Sequence, residues 1–347
     1  MTQIPFEYIV YLFLIMVGIA LIIILYLIVQ RFLEKRMERK RLTYLSKRNE
    51  TWYTYLFEDG SIERMMVPRH KNDYMFIETL LNDYLTQFSN EDVLNKISHF
   101  ASLHLKEYYE EQLRSRQWFH RINAMFRIYK FRIEPLYEAC IEVENMLTTE
   151  EERYQFLKIT SLMDYDLFIQ YLKTYSTDLS EYDLKNLLLS LSPDFYQKIK
   201  QQLSEMDKRL KLSFIDTLAM RGRVDDVLFL ENLLKSSDQE TRIRSLKSIS
   251  EIGVVWDYKK YLSFVDSNVW QERLMLAKVL QYFPINITFP TLEKLTRDEI
   301  FIVRQEACET IRKGENGLHL LKEIVETSPD RYAVDAAKEV LARWSNG

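Results

Sequence analysis

The sequence predicts an all-α protein in which one N-terminal transmembrane helix is followed by an α-solenoid, an α-α superhelix of stacked helical hairpins. Three observations predict it. Only 7 glycines and 7 prolines occur in 347 residues, well under the roughly 7% and 5% of average chains, which disfavours turn-rich β folds and glycine-rich phosphate sites. An uncharged apolar run of 21 residues lies close to the N-terminus. A pattern of arginines, caps and small apolar residues recurs every 31 residues in the C-terminal part. Hydrophobic residues make up 47% and aromatics 13% of the chain, a composition that can build a core rather than stay disordered. The two cysteines, Cys140 and Cys308, exclude a disulfide scaffold and a thiolate zinc cluster and fit a reducing compartment.

Residues 1–8 form a short N-terminal segment. Residues 9–29 read IVYLFLIMVGIALIIILYLIV, as long as the roughly 20 residues that cross a bilayer as a helix. A buried core helix would carry a polar stripe, and this run has none. A cleaved signal peptide needs a positively charged start and a small-residue cleavage site. Residues 1–8 hold one acid, Glu7, and no basic residue. The run is therefore expected to be an uncleaved anchor. Residues 31–48 carry Arg31, Lys35, Arg36, Arg39, Lys40, Arg41, Lys47 and Arg48 against Glu34 and Glu38. By the positive-inside rule, this places the body in the cytoplasm of a single-pass plasma-membrane protein, with the N-terminus outside. Arg31, Lys35, Arg36, Arg39, Lys40 and Arg41 are candidate contacts for anionic headgroups; a stop-transfer flank without lipid preference is the alternative. Residues 49–347 hold 39 basic and 48 acidic residues, a net of −9, which argues against nucleic acid as a partner.

Residues 30–58 read as a basic juxtamembrane helix continuing the anchor. Asp59-Gly60-Ser61 marks a turn. Residues 59–111 form a helical connecting region with two expected helices, the second capped by Ser89 or Asn90. From 112 to 346 the helical repeat takes over. Arg242, Arg273 and Arg304 stand 31 residues apart. Ser236, Ser267 and Asp298 lie six residues before them, Ile249, Leu280 and Ile311 seven after, and Leu246, Ala277 and Cys308 form a further apolar column. A fourth segment replaces the arginine with Asp335. Each unit is expected to be a helix pair. Capping-box spacing at Ser237/Glu240 and at Thr148/Glu151, and Ser-Pro starts at Ser192-Pro193 and Ser328-Pro329, mark helix N-termini. Ser180/Asp183 marks another. Upstream, Ser115 precedes Arg121 by six and Arg153 follows it by 32; about seven units fit between 112 and 345. One hairpin cannot bury its own apolar face, so the array stands only as a stack.

These repeated segments resemble the short class of HEAT repeats, which is also seen in the phycobilisome-lyase-like group. The resemblance covers about two-thirds of the chain, is most specific over 230–315, and implies an armadillo-like helical superhelix that binds proteins. In HEAT-like repeats an arginine at this position packs on the preceding acidic or hydroxyl residue and loop carbonyls, so Arg242, Arg273, Arg304 and Asp298 are expected to form a structural ladder, with ligand binding as the alternative. The resemblance further implies a scaffold or accessory subunit for an envelope or polysaccharide-synthesis complex that includes a membrane glycosyltransferase. A bilin-lyase-like or hydroxylase-like enzyme is the rival it raises, but the repeated His-Glu pairs of the hydroxylase members are missing.

No nucleotide, zinc-protease or nucleophile-elbow motif occurs in the sequence. His99 and His104 are five apart and do not share a helix face; His104 and Glu107 do share one, but a lone pair does not make a metal site. No cofactor, metal or catalytic residue is expected. Cys140 and Cys308 are expected to be buried. One basic stretch stands out: Arg114, Arg116, Arg121, Arg127, Lys130 and Arg132 occur with no acid among them, interleaved with Trp118, Phe119, Phe126, Tyr129 and Phe131. Trp118, Ile122, Met125 and Tyr129 fall at helical spacing and read as core. The basic residues are candidate contacts for an acidic partner or anionic lipid; the alternative is a solvated face neutralised by Glu138, Glu142 and Glu144. The expected function is a membrane-tethered scaffold for a membrane-associated protein partner. A lipid-responsive membrane sensor is the alternative. Oligomeric state is left open.

Overall fold

The computed structural model describes residues 6–58, 60–88 and 90–345. The described chain is helical throughout and contains no strand. It divides into two compact units, residues 1–159 and 160–347.

In the first unit, α1 (Phe6–Ser46) is one unbroken helix. From Tyr11 to Val29 its large apolar side chains point outward and stay exposed. It is one helix long and apolar enough to cross a membrane. The continuous juxtamembrane helix expected over 30–58 is interrupted: α1 ends at Ser46 and α2 (Asn49–Phe57) starts afresh after Arg48. Arg48 leaves helical geometry and donates its Nε to the Met65 carbonyl at 2.6 Å, a side-chain bond made from the bend between the two helices. Trp52 on α2 is fully buried, edge-on to Phe100 at 4.7 Å between ring centres. Such aromatic pairs add to the burial of large apolar area. Three helices rather than two follow: α3 (Lys71–Gln87), α4 (Glu91–His104) and α5 (Lys106–Leu113), with a break at Leu105. Asn90 caps α4 by accepting from the Asp92 amide at 2.8 Å; Ser89 and the turn residue Asp59 lie outside the described residues. Then come α6 (Trp118–Lys130), the short α7 (Tyr137–Glu142) and α8 (Glu150–Thr160).

In the second unit, α9 (Tyr165–Tyr175), α10 (Glu181–Leu189), α11 (Pro193–Gln201), α12 (Lys208–Arg221) and α13 (Val227–Leu233) lead into α14 (Gln239–Ile252). They are followed by α15 (Trp270–Leu280), α16 (Ile285–Leu295), α17 (Phe301–Lys313), α18 (Gly317–Thr327) and α19 (Arg331–Ser345). Helices α10, α12, α14, α15, α17 and α19 each pack on the next as one layer, while α13, α16 and α18 back them. The expected columns are buried: Leu246, Ala277 and Cys308, and Ile249, Leu280 and Ile311, are all fully inaccessible. Helices α12 and α14 stop at Gly222 (φ +63°) and Gly253 (φ +77°), a left-handed conformation that costs glycine little.

Three local expectations are corrected. The unit preceding Arg273 is not a helix pair, because its first member is two short 3₁₀ turns, Tyr258–Lys260 and Leu262–Phe264. Two of the caps fall one residue late. Asp238, not Ser237, caps α14 through the Thr241 amide at 2.8 Å. Thr149, not Thr148, accepts from the Glu152 amide at 3.2 Å. Pro329 precedes α19, and Asp330 accepts the Tyr332 and Ala333 amides at 2.9 and 3.0 Å. Ser180 and Ser192 cap α10 and α11 as expected.

Candidate functional site

The juxtamembrane cations share one helix face. Phe32, Lys35, Arg36, Arg39, Lys40, Thr43, Tyr44, Lys47 and Arg48 recur at three and four residues and line a groove of about 640 Å³ closed on one side by Phe76 of α3. Residues three and four apart on a helix lie side by side, so the spacing turns a charge run into a stripe. Glu34 and Glu38 fall off it. Lys35, Arg36, Arg39 and Lys40 are exposed and form no ion pair among the described residues. Arg31 lies one turn nearer the apolar run, and Arg41 turns away to pair with Glu38 at 2.7 Å. Tyr44 sits at the closed end, packed on Phe76 at 5.5 Å and under the Arg48 guanidinium at 3.8 Å. Its hydroxyl is buried without a hydrogen-bond partner, and burial pushes its pKa up to about 12. Chemically, the groove offers several cations and an apolar wall to an anionic amphiphile.

The second basic stretch is spent inside the fold. Arg121 is buried against Glu152, with guanidinium–carboxylate distances of 2.6 and 2.7 Å. Arg127 reaches Glu78 at 3.4 Å, Arg132 pairs with Glu91, and Lys130 donates to Asn82. Arg114 bridges Glu142 at 2.9 Å and Glu110 at 3.3 Å. Only Arg116 remains exposed and without an ion pair among the described residues. Of the three acids expected, Glu142 meets this stretch directly through Arg114; further partners are on α3, α4, α5 and α8. Met125 and Phe131 are buried, but Trp118 and Phe119 stay exposed. Trp118 opens α6, and its side chain stands at the rim, not in the core.

The repeated arginines make one recurring set of bonds. Arg242, Arg273 and Arg304 each donate Nη1 to the carbonyl six residues earlier: Ser236 at 2.8 Å, Ser267 at 2.6 Å and Asp298 at 2.6 Å. Arg121 does the same to Ser115 at 2.9 Å. The other edge of the Arg121, Arg242 and Arg273 guanidiniums turns to the next repeat. Arg242 Nε meets Glu272 at 2.7 Å, and Arg273 holds Asp298 through Nε at 2.5 Å and Nη2 at 2.9 Å. The acid then ties its own loop: Glu272 accepts from Ser267 Oγ at 2.5 Å. Two-point arginine–carboxylate pairs of this kind are strong and directional. These arginines are thus bonded within the fold, and Asp298 does not pair with Arg304 as expected: its carboxylate serves Arg273, and only its main-chain oxygen serves Arg304.

Glu152 and Glu272 escaped sequence reading because they and Asp298 sit at different offsets from the arginines they hold. Among the described residues, no group of three or more His, Cys, Asp or Glu side chains could hold a metal. Cys140 and Cys308 are fully buried, which pushes both thiols up to about 12. Against known proteins, no family model matches this chain and no curated protein matches its sequence.

Proposed function

We propose that this chain is a single-pass plasma-membrane protein with a cytoplasmic body of short HEAT-like repeats, and that the body is a scaffold for a membrane-associated protein partner, such as the glycosyltransferase of an envelope or polysaccharide-synthesis complex. Recognition, not bond-making, is its task. One observation carries the reading: a single helix, α1, runs without interruption from an outward-facing apolar length into a cationic stripe. A chain so anchored searches in two dimensions and meets its partner at raised effective concentration. The test is cross-linking of the full chain in intact membranes followed by mass spectrometry. A discrete membrane-protein partner and protease protection of residues 30–347 in intact cells are expected. Recovery of the chain in the soluble fraction, or cross-links to itself alone, overturns the reading.

A second reading, a sensor of anionic lipid, is favoured by the groove beside α3. It expects lipid composition to change the cross-linking pattern, and an unchanged pattern counts against it.

A further inference from the structure

The ladder ends on an open rung. Arg304 is only 8% exposed, yet its Nε has no hydrogen-bond partner among the described residues. Its Nη1 is satisfied in the usual way by Asp298 and Glu299 carbonyls at 2.6 and 3.0 Å. What is missing is the carboxylate that Arg121, Arg242 and Arg273 each receive. The cause can be read in register. Glu152 and Glu272 stand one residue before Arg153 and Arg273, the ladder positions of their own repeats, and the corresponding residue of the last repeat is Val334, before Asp335. Asp298, the alternative position for the accepting carboxylate, corresponds to Pro329. Acids of the adjoining segments are engaged elsewhere: Asp330 caps α19, Glu299 reaches Arg273 at 3.4 Å, and Asp335 faces Arg331 at 3.9 Å. A buried donor left unpaired costs the fold stability, and a charged one costs more than a neutral one, so an orphan of this kind calls for a ligand.

The walls of the rung are aromatic. The Arg304 guanidinium carbon lies 5.7 Å from the Phe301 ring centre and 5.1 Å from that of Tyr332. Phe301 and Tyr332 belong to a column with Trp270, again at 31-residue intervals, and the three are exposed by 37% (Trp270), 50% (Phe301) and 66% (Tyr332). Each stands at the start of a helix of the α15, α17, α19 layer. Exposed rings in register beside a guanidinium whose Nε lacks a partner combine the two features that dominate recognition surfaces, aromatic anchors and arginine.

We propose that the open rung at Arg304 receives a side-chain carboxylate from a protein partner, an Asp or Glu flanked by apolar residues, in a segment lying across Trp270, Phe301 and Tyr332. The ligand class follows from the fold itself, which fills the equivalent position three times with a carboxylate. The inference rests on the scaffold reading and adds the chemistry of the partner.

The probe is a fluorescent peptide copying residues 264–276, the segment that seats Glu272 on Arg242, titrated into the full chain in detergent micelles with anisotropy as readout. Saturable binding is expected, at least tenfold weaker for the peptide carrying Glu272→Gln. Val334→Glu in the chain supplies the missing acid internally and is expected to weaken binding at least tenfold without lowering the melting temperature. Pro329→Asp, which places the acid where Asp298 has it, is expected to do the same should Val334→Glu fail to fold. Absence of saturable binding, equal binding by the Gln peptide or by either folded variant, or equal competition by inorganic phosphate overturns the proposal. Membrane cross-links that persist unchanged in the Val334→Glu chain also overturn it and leave the scaffold reading standing. Peptide binding that behaves as expected beside a chain with no membrane partner overturns the scaffold reading instead.

Discussion

Two stretches of this chain, 31–48 and 114–132, look alike as strings of letters: each is rich in arginine and lysine, and each is interleaved with aromatic residues. In the folded molecule they are opposites. The 114–132 stretch finds Glu78, Glu91, Glu110, Glu142 and Glu152 on neighbouring helices. The 31–48 stretch leaves Lys35, Arg36, Arg39 and Lys40 lining an open groove with one partner pair, Arg41 and Glu38, set aside. Local charge density does not mark a binding surface. What separates the two is whether carboxylates on neighbouring helices reach the cations, a property of tertiary structure.

Several measurements would break or sharpen this contrast. Arg121→Ala is expected to have the largest effect, because it strands Glu152, which is fully buried; losses of about 3–5 kcal/mol are typical when one member of a buried pair is removed. Denaturant unfolding reads it, and a loss under about 1 kcal/mol would return Arg121 to the pool of binding candidates. Next, replacing Lys35, Arg36, Arg39 and Lys40 by Gln should leave the melting temperature in place while reducing anionic lipid retained on the purified chain, by about 1 kcal/mol of attraction per cation. Native mass spectrometry counts that lipid, and high salt should strip it in the same way. Unchanged retention would make the groove an ordinary stop-transfer flank.

Acid gives a subtler separation, since it removes carboxylates and leaves arginines charged. Hydrogen bonds from Lys185 and Arg244 hold Glu181 down to about 2, and Lys208 with Thr241 holds Asp238 at about 2. Both are depressed below their unfolded values, so the stability they supply is present at neutral pH and is lost as pH falls from about 4.5 toward 2. Melting curves across that window should show the second unit weakening, and replacing Glu181 by Gln should flatten the slope. Smallest of all, Arg114→Ala should leave the melting temperature unaltered, since both partners of Arg114 are solvent-exposed and surface pairs contribute little.

Much of the fold was legible because spacing is geometry. A 31-residue recurrence of Arg242, Arg273 and Arg304 marked the helices α14, α15 and α17. The apolar columns followed from period alone. The break at Lys47-Arg48 was not legible: no glycine or proline announces it, and it is made by a long-range bond from Arg48 to Met65. The 3₁₀ turns before Arg273 were missed because 258–264 is apolar enough to pass for a helix. Trp118 was misplaced because helical spacing assigns residues to a face without saying where the helix begins. The Trp270, Phe301 and Tyr332 column recurs at the same 31-residue interval, and only its exposure in the fold distinguishes it from the buried columns.

The unbroken length of α1 has a mechanical consequence. At about 1.5 Å per residue, the helix beyond residue 29 continues for roughly 25 Å before ending at Ser46. On the proposed reading, with 9–29 in hydrocarbon, that extension is a rigid stalk that would set the height above the bilayer at which α2 begins.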